Sequence, residues 1–477
     1  MKTLTASVKT LFQGLKWYEK TEYLLLALFV ITIATDWSLA LWCLLLLCAN
    51  AIVKTFASHH IGNPSLNRPI RICLCLMAAY YMAYAVSALY SSQPHEALST
   101  LSMMLPLLLF PLIFLLSDTR YLRRPHLSFL TYLFAATLTL RFLVMLVRAS
   151  IHSAESQLIH STTDIITALL LQFGSALSQS SPFQNLNTLL VIPPFRAIAH
   201  LFNGTPFEAL KPFEFDPLHH NYLSLYLLTA IALLYTELLR HWKSPRWRKI
   251  RWIVIADIAM LSIHMLLSDS RSGIVVWIVL ASACLVHLAF VRKQWRSIAI
   301  ILASLAVLVG GSYWTSPKSY ERISSTLHNI RIGEQADVRQ DLWKSGLATA
   351  REHPVFGYGC DGYWDSLFEQ YRVHDCFTAC VNEFSTHNQY IETLLATGIV
   401  GLVLLLAMIL LPVYVALRRR PHNLPLALFT VVYAPCLIFE ATFGRQMGLL
   451  FIGFWYCLLL LHSRSISTSS QLTLPEL

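Results

Sequence analysis

Twelve stretches of this chain are apolar over nearly the length needed to cross a bilayer, and that pattern leaves few folds open. They run over 21–35, 37–53, 71–90, 97–117, 126–149, 220–239, 251–268, 273–291, 297–314, 390–417, 425–439 and 448–463, separated by polar or Pro-containing breaks. About 20 apolar residues span hydrocarbon as a helix, the local structure that satisfies every backbone polar group within its own segment. The chain is 56% hydrophobic and 13% charged over 477 residues, far more apolar side chain than one soluble core can bury. The expected fold class is therefore all-α and polytopic, with about 12 transmembrane helices. The run after Lys20 lacks a small-residue cleavage site and meets a second apolar run at once, so it is expected to remain as an anchor.

The formal net charge of +10 invites a nucleic-acid reading, but the positions of the cations argue against one. With a cytoplasmic N-terminus, 23 of the 36 Lys and Arg fall inside, as in "RHWKSPRWRKIR" after the sixth span and "RRR" after the tenth. Both termini are then cytoplasmic, every inside loop is short and basic, and the two long loops lie outside. The chain divides into helices 1–5 (1–149), a first outer loop (150–219), helices 6–9 (220–314), a large outer loop (315–389), helices 10–12 (390–463) and a cytoplasmic tail (464–477).

Both outer loops carry helical patterns. In the first, Leu158, Ile165, Ile166, Leu169, Leu170 and Phe173 recur at helical spacing, which predicts a helix lying on the outer surface. In the second, a helix from about Val338 to Arg351 stops before Pro354, followed by a Gly-rich turn and an aromatic amphipathic helix. Seven of the ten cysteines fall in spans, where packing is the expected role. Cys360, Cys376 and Cys380 fall outside and could form one disulfide, with connectivity left open.

The chemistry-bearing residues gather on the outer side. Arg271, in "LSDSRSGIVVW", sits one residue before hydrocarbon; it either snorkels at the boundary or, oriented by Ser268, Asp269, Ser270 and Ser272, offers a planar fork to a diphosphate. Thr386 with Gln389 makes a capping-box pattern that places His387 in the first turn of the tenth span. There the helix dipole favours a neutral imidazole, either a satisfied interfacial histidine or a general base. Lys211, Glu214, Asp216, His219 and His220 cluster before the sixth span, but adjacent histidines are poor metal ligands on one helix face, so phosphate or sugar contacts are the better expectation and no metal is called for. Arg339, Asp341, Arg351 and Asp361 read either as sugar contacts or as a solvated face. Tyr358, Tyr363, Trp364, Phe368 and Tyr371 suit packing more than carbohydrate stacking. Glu440 and Arg445 could pair with each other, and Glu392 should face the protein interior.

The stretch "HNQYIETLLATGIVGLVLLL" resembles the signature of the O-antigen ligase and O-antigen polymerase superfamily, a His-Asn pair opening a helix with Gly-x-x-Gly about ten residues on, here Gly398 and Gly401. "VRQDLWKSGLATAREHPVFGYGCDGYW", "LSDSRSG" and "FEFDPLHHNYLSLYLL" are similar to further family elements in the same order, over roughly 205–406. The resemblance implies a GT-C-like membrane glycosyltransferase of lipopolysaccharide biosynthesis in the bacterial inner membrane. It would need no metal or cofactor and would move glycan from undecaprenyl diphosphate at the periplasmic face. Carried over by position, His387 would be the base and Arg271 a diphosphate contact. Asn388, Arg339, Asp269, His219 and His220 would be substrate contacts. Where the family has a second upstream arginine, this chain offers Lys211 or Arg196, and lysine lacks the bidentate fork.

One base plus fixed positive charge suffices for attack of a sugar hydroxyl on a lipid-diphosphate glycoside, inverting the anomeric centre. Asp216, Asp269 and Glu392 are reserve bases. A lipid A-core acceptor makes the protein a ligase, a growing glycan a repeat-unit polymerase, and a protein acceptor an O-oligosaccharyltransferase. The rival class is a 12-helix transporter or flippase, which would use mid-membrane ionisable groups such as Arg141, Asp257 and His264.

Overall fold

The structure is a computed structural model, described over residues 11–58, 62–171, 219–268, 270–291, 293, 339–418 and 423–468. The described residues form helices α1 (Trp17–Thr35), α2 (Trp37–Ser58), α3 (Arg68–Ala88), α4 (Pro94–Met104), α5 (Pro106–Leu116), α6 (Arg124–Leu171), α7 (His220–His241), α8 (Arg248–Leu267), α9 (Arg271–Val286), α10 (Arg339–Ala350), α11 (Trp364–Val373), α12 (Phe377–Val381), α13 (Gln389–Arg418), α14 (Leu424–Phe439) and α15 (Gln446–Thr468). Eleven of the twelve apolar runs fall on these helices, and the ninth, 297–314, lies outside the described residues. Among the described residues seven helical segments are long and apolar enough to cross a membrane, α4 and α5 together making one of them, with α14 and the apolar part of α15 shorter. The protein is all-helical over the described residues and polytopic.

Local chemistry sets the helix ends. Asn67 caps α3 by accepting from the Ile70 N–H at 3.1 Å, and Asn423 caps α14 by accepting from Leu426 at 3.4 Å. The fourth span is two helices meeting at Leu105, because Pro106 has no N–H to donate. The helix expected in the first outer loop is continuous with the fifth span, since α6 runs unbroken to Leu171, while its apolar, membrane-length part is Arg124–Val147. The Ser-rich break that follows lies outside the described residues.

Most helices are buried on one side only, as expected of segments that face lipid on the other. Among the membrane-length helices the most buried is α7, with 89% of its most apolar window buried against 33–44% for the other six. It packs against α6, α8, α9 and α14. Tyr226 stacks on Phe451 of α15 at 4.0 Å, and residues Leu449 to Leu461 of α15 are themselves almost fully buried. These two helices are the axis of the bundle.

The most unusual element is α13. At Gly398 the backbone takes φ 63, ψ −159 and the helix breaks, a conformation open essentially only to glycine. The strap 354–359 fills the gap. The Tyr358 and Gly359 N–H groups donate to the Leu395 and Ala396 carbonyls at 2.8 and 3.1 Å, and the Ile399 N–H donates to the Pro354 carbonyl at 2.9 Å. Backbone groups freed in a helix at membrane depth are thus satisfied within the protein. The approach is so close that a Cβ on Gly398 would lie 2.2 Å from the Val355 carbonyl oxygen, and one on Gly357 2.5 Å from that of Leu395. "HPVFGYG" and "TGIVG" are two halves of one joint.

Candidate functional site

The joint positions the start of α13, where the segment 384–389 makes the site's central turn. His387 has φ 48 and lies outside the helix, not in its first turn as the spacing predicted. Asn388 is the cap, its Oδ1 accepting from the Tyr390 and Ile391 N–H groups at 3.0 and 3.3 Å. Thr386 has a different task. Its N–H and hydroxyl both donate to Glu392 Oε1, at 2.7 and 2.8 Å, while the Tyr363 hydroxyl bonds Glu392 Oε2. Glu392 does face the interior, as expected, and there it ties the His387 turn to the large loop. Burial, and then the Glu392 charge, push the Tyr363 phenol well above its ordinary range, so it serves as a donor.

His387 is one third exposed and Nδ1 lies 3.3 Å from Glu440 Oε1, at the end of α14. Glu440 therefore pairs with His387 and not with Arg445, as the sequence suggested. Its other oxygen accepts from Asn221 Nδ2 at 2.5 Å, and Asn221 Oδ1 in turn accepts from Ser270 and Ser272 at 3.1 and 3.0 Å. A chain of polar contacts so runs from the Arg271 turn through α7 to His387. Burial would raise Glu440, but hydrogen bonding to His387, the His387 charge and the Asn221 bond together hold it below the ordinary carboxylate range. A carboxylate at Nδ1 favours the Nδ1–H tautomer and leaves Nε2 as the acceptor.

The turn opens into a cavity of about 520 Å³ between α4, the start of α11 and the loop joining α14 to α15. His387, Glu440, Arg445, Asp361 and Trp364 are among its lining residues. The volume falls in the range of small-molecule sites.

The sequence-derived candidates divide as follows. His219 precedes α7 within electrostatic reach of Glu440, His387, Arg445 and Arg339, and its ring lies 3.9 Å from that of His220. Arg271 opens α9 at this end of the bundle and is exposed, with Ser270 capping its helix through the Gly273 N–H at 3.1 Å. Lys211, Arg196, Asp216 and Asp269 lie outside the described residues. Asp341 faces Lys344 at 3.5 Å on α10, whereas Asp361 lines the cavity. Packing accounts for Tyr363 and Tyr371, both buried. Cys360, Cys376 and Cys380 are free thiols. Arg141 bonds the Ala34 carbonyl at 2.9 Å, Asp257 bonds Thr139, and His264 stacks on Phe142 at 4.4 Å, each within the helix bundle.

Asn221 escaped the sequence reading, hidden behind the His pair in "HHNYL", and Glu440 was legible only as a carboxylate that could pair with Arg445. The available signal was a carboxylate in a short loop between two spans, on the same outer side as His387.

Residues 255–406 match the family model described as O-antigen ligase. A 169-residue stretch is 30% identical to an uncharacterised protein of Haemophilus influenzae, covering 33% of this chain and 42% of that one. An 83-residue stretch is 31% identical to the exopolysaccharide production protein ExoQ of Rhizobium meliloti, covering 17% of this chain and 19% of that protein. The chain thus matches under half the length of these relatives. The matched family segment contains Arg271, His387 and the α13 joint.

Proposed function

We propose that this polytopic membrane protein, whose residues 255–406 match the O-antigen ligase family model, is a glycosyltransferase that moves glycan from undecaprenyl diphosphate to a lipid A-core hydroxyl at the periplasmic face of the bacterial inner membrane. The observation that carries this reading is the His387–Glu440 pair opening into a cavity at the mouth of α13. The acceptor hydroxyl gives its proton to His387 Nε2 as its oxygen bonds the anomeric carbon. The bond from that carbon to the diphosphate oxygen breaks, and undecaprenyl diphosphate leaves. Glu440 holds the imidazole in the receptive tautomer and stabilises the imidazolium that forms. Arg271 and Arg445 are the cations for charge growing on the leaving group, with Lys211 or Arg196 as a further contact. Asn388 acts by fixing the turn, and His219, His220, Arg339 and Asp269 border the donor.

The similarity to an exopolysaccharide production protein supports a second reading in which the acceptor is a growing glycan and the protein is a repeat-unit polymerase. Deletion of the gene followed by gel analysis of lipopolysaccharide separates the two. Lipid-linked polymer beside bare core indicates the ligase, and core with one repeat indicates the polymerase. Normal lipopolysaccharide after deletion, or full complementation by His387→Ala, would overturn the assignment.

A further inference from the structure

The lining of the cavity beside His387 is of two chemical kinds. His387, Glu440 and Arg445 are one group, and Asp361, Trp364 and Glu383 give the same cavity an acidic and aromatic wall. Trp364 is half-buried, stacked on Tyr363 at 5.2 Å and 27°, and its indole Nε1 donates to Asp361 Oδ1 at 3.3 Å. Asp361 and Glu383 have φ of 57 and 50. Non-glycine residues persist in that region where the surroundings dictate them. Glu392 and Glu440 are engaged by Thr386, Tyr363, His387 and Asn221. Among the described residues, neither Asp361 nor Glu383 has a cationic partner.

A clamped indole offers an apolar face to a sugar ring, and carboxylate oxygens accept hydrogen bonds from sugar hydroxyls. The same carboxylates repel a ligand that brings its own negative charge. We propose that this wall is the acceptor-sugar subsite, with Asp361 and Glu383 restricting it to glycosyl residues without phosphate or carboxylate substituents. The acceptor role rests on the transferase reading above, whereas sugar binding and its charge selectivity do not.

The test is saturation-transfer NMR on the full-length protein in nanodiscs, with methyl glucoside, methyl N-acetylglucosaminide, methyl glucuronide and glucose 6-phosphate as probes. The two uncharged glycosides should bind and the two acidic probes should not. Trp364→Ala should weaken binding about tenfold while Trp364→Phe retains most of it. Asp361→Asn combined with Glu383→Gln should admit the acidic probes, asparagine keeping the tolerance for positive φ. Equal binding of acidic and uncharged probes to the wild type, no binding of either uncharged glycoside, or indifference to Trp364→Ala would overturn the proposal. If Trp364→Ala fails to fold, the carboxylate double variant decides alone. Trp364-dependent sugar binding in a protein whose deletion leaves lipopolysaccharide normal would sink the transferase reading and leave the subsite intact.

Discussion

Two ion pairs sit at opposite ends of the bundle and differ in what surrounds them. Lys54 and Glu22 join α2 to α1, both side chains only 2% exposed, with Lys54 4.8 Å over the Tyr121 ring. His387 and Glu440 join the start of α13 to the end of α14, with side chains 33% and 15% exposed, and they line a cavity. The path of α3 sets them apart. It leaves the α2 end near Lys54, and just beyond its far end the Tyr90 hydroxyl donates to the Phe356 carbonyl at 2.6 Å, in the strap that meets α13. A sealed pair can only hold helices together, because nothing reaches its charges. An open pair costs less desolvation and leaves one nitrogen for a ligand. Sequence position alone ranks both as boundary charges, and accessibility is what separates them.

Substitutions should separate the ends. His387→Ala is expected to lower transfer about 10²–10⁴-fold with a fall in unfolding temperature no larger than that of Glu440→Gln, measured by glycan transfer in complemented cells and by thermal unfolding of the purified protein. Lys54→Ala should do the reverse, destabilising by about 3–5 kcal/mol because Glu22 stays buried without its partner, with activity per folded molecule retained. Replacing both, Lys54→Met with Glu22→Leu, should recover most of that loss. If Lys54→Ala instead abolished transfer in a fully folded protein, the sealed end would have a role in the reaction.

Gly398→Ala probes what holds the open end in place. The strained φ and the 2.2 Å approach to Val355 predict a cost of about 2–3 kcal/mol, together with weaker hydrogen-exchange protection at Tyr358 and Gly359. Glu440→Gln keeps the shape and removes the charge. It should lower the transfer rate about 10–100-fold, with a smaller effect on acceptor KM, as expected of a carboxylate that orients an imidazole. An unchanged rate would make Glu440 only a spacer.

The smallest effect is on pH. The folded Glu440 carboxyl is depressed from 4.5, so the stability it contributes is fully present above that value and is lost as the pH falls through the lower folded one. Wild type and Glu440→Gln should therefore differ in unfolding temperature at neutral pH and converge in acid below about 4.5.

Much of this was legible in the residues because hydropathy and backbone chemistry are local. Eleven of the apolar runs fall on described helices, Pro354 marked the end of α10, and Glu392 announced itself as a buried carboxylate by its place in hydrocarbon. The topology count put Arg271, His387 and Glu440 on one side, and they share one end of the bundle. What failed was partner and turn geometry. The Thr386–Gln389 pattern looked like a capping box, yet Asn388 caps the helix, because Glu392 claims both donors of Thr386.

By itself, then, the sequence determined a polytopic membrane protein, all-helical over the described residues, with Arg271, His387 and Glu440 toward one end, since a 3.6-residue period and a stretch of apolar residues need no distant information. The tertiary structure alone decided that Glu440, 53 positions from His387, would be its partner, that Asn221 would link them to the Arg271 turn, and that a strap from the large loop would satisfy the break at Gly398. Those contacts depend on how helices far apart in the chain come to lie side by side, which burial around α7 and α15 settles and no local pattern encodes.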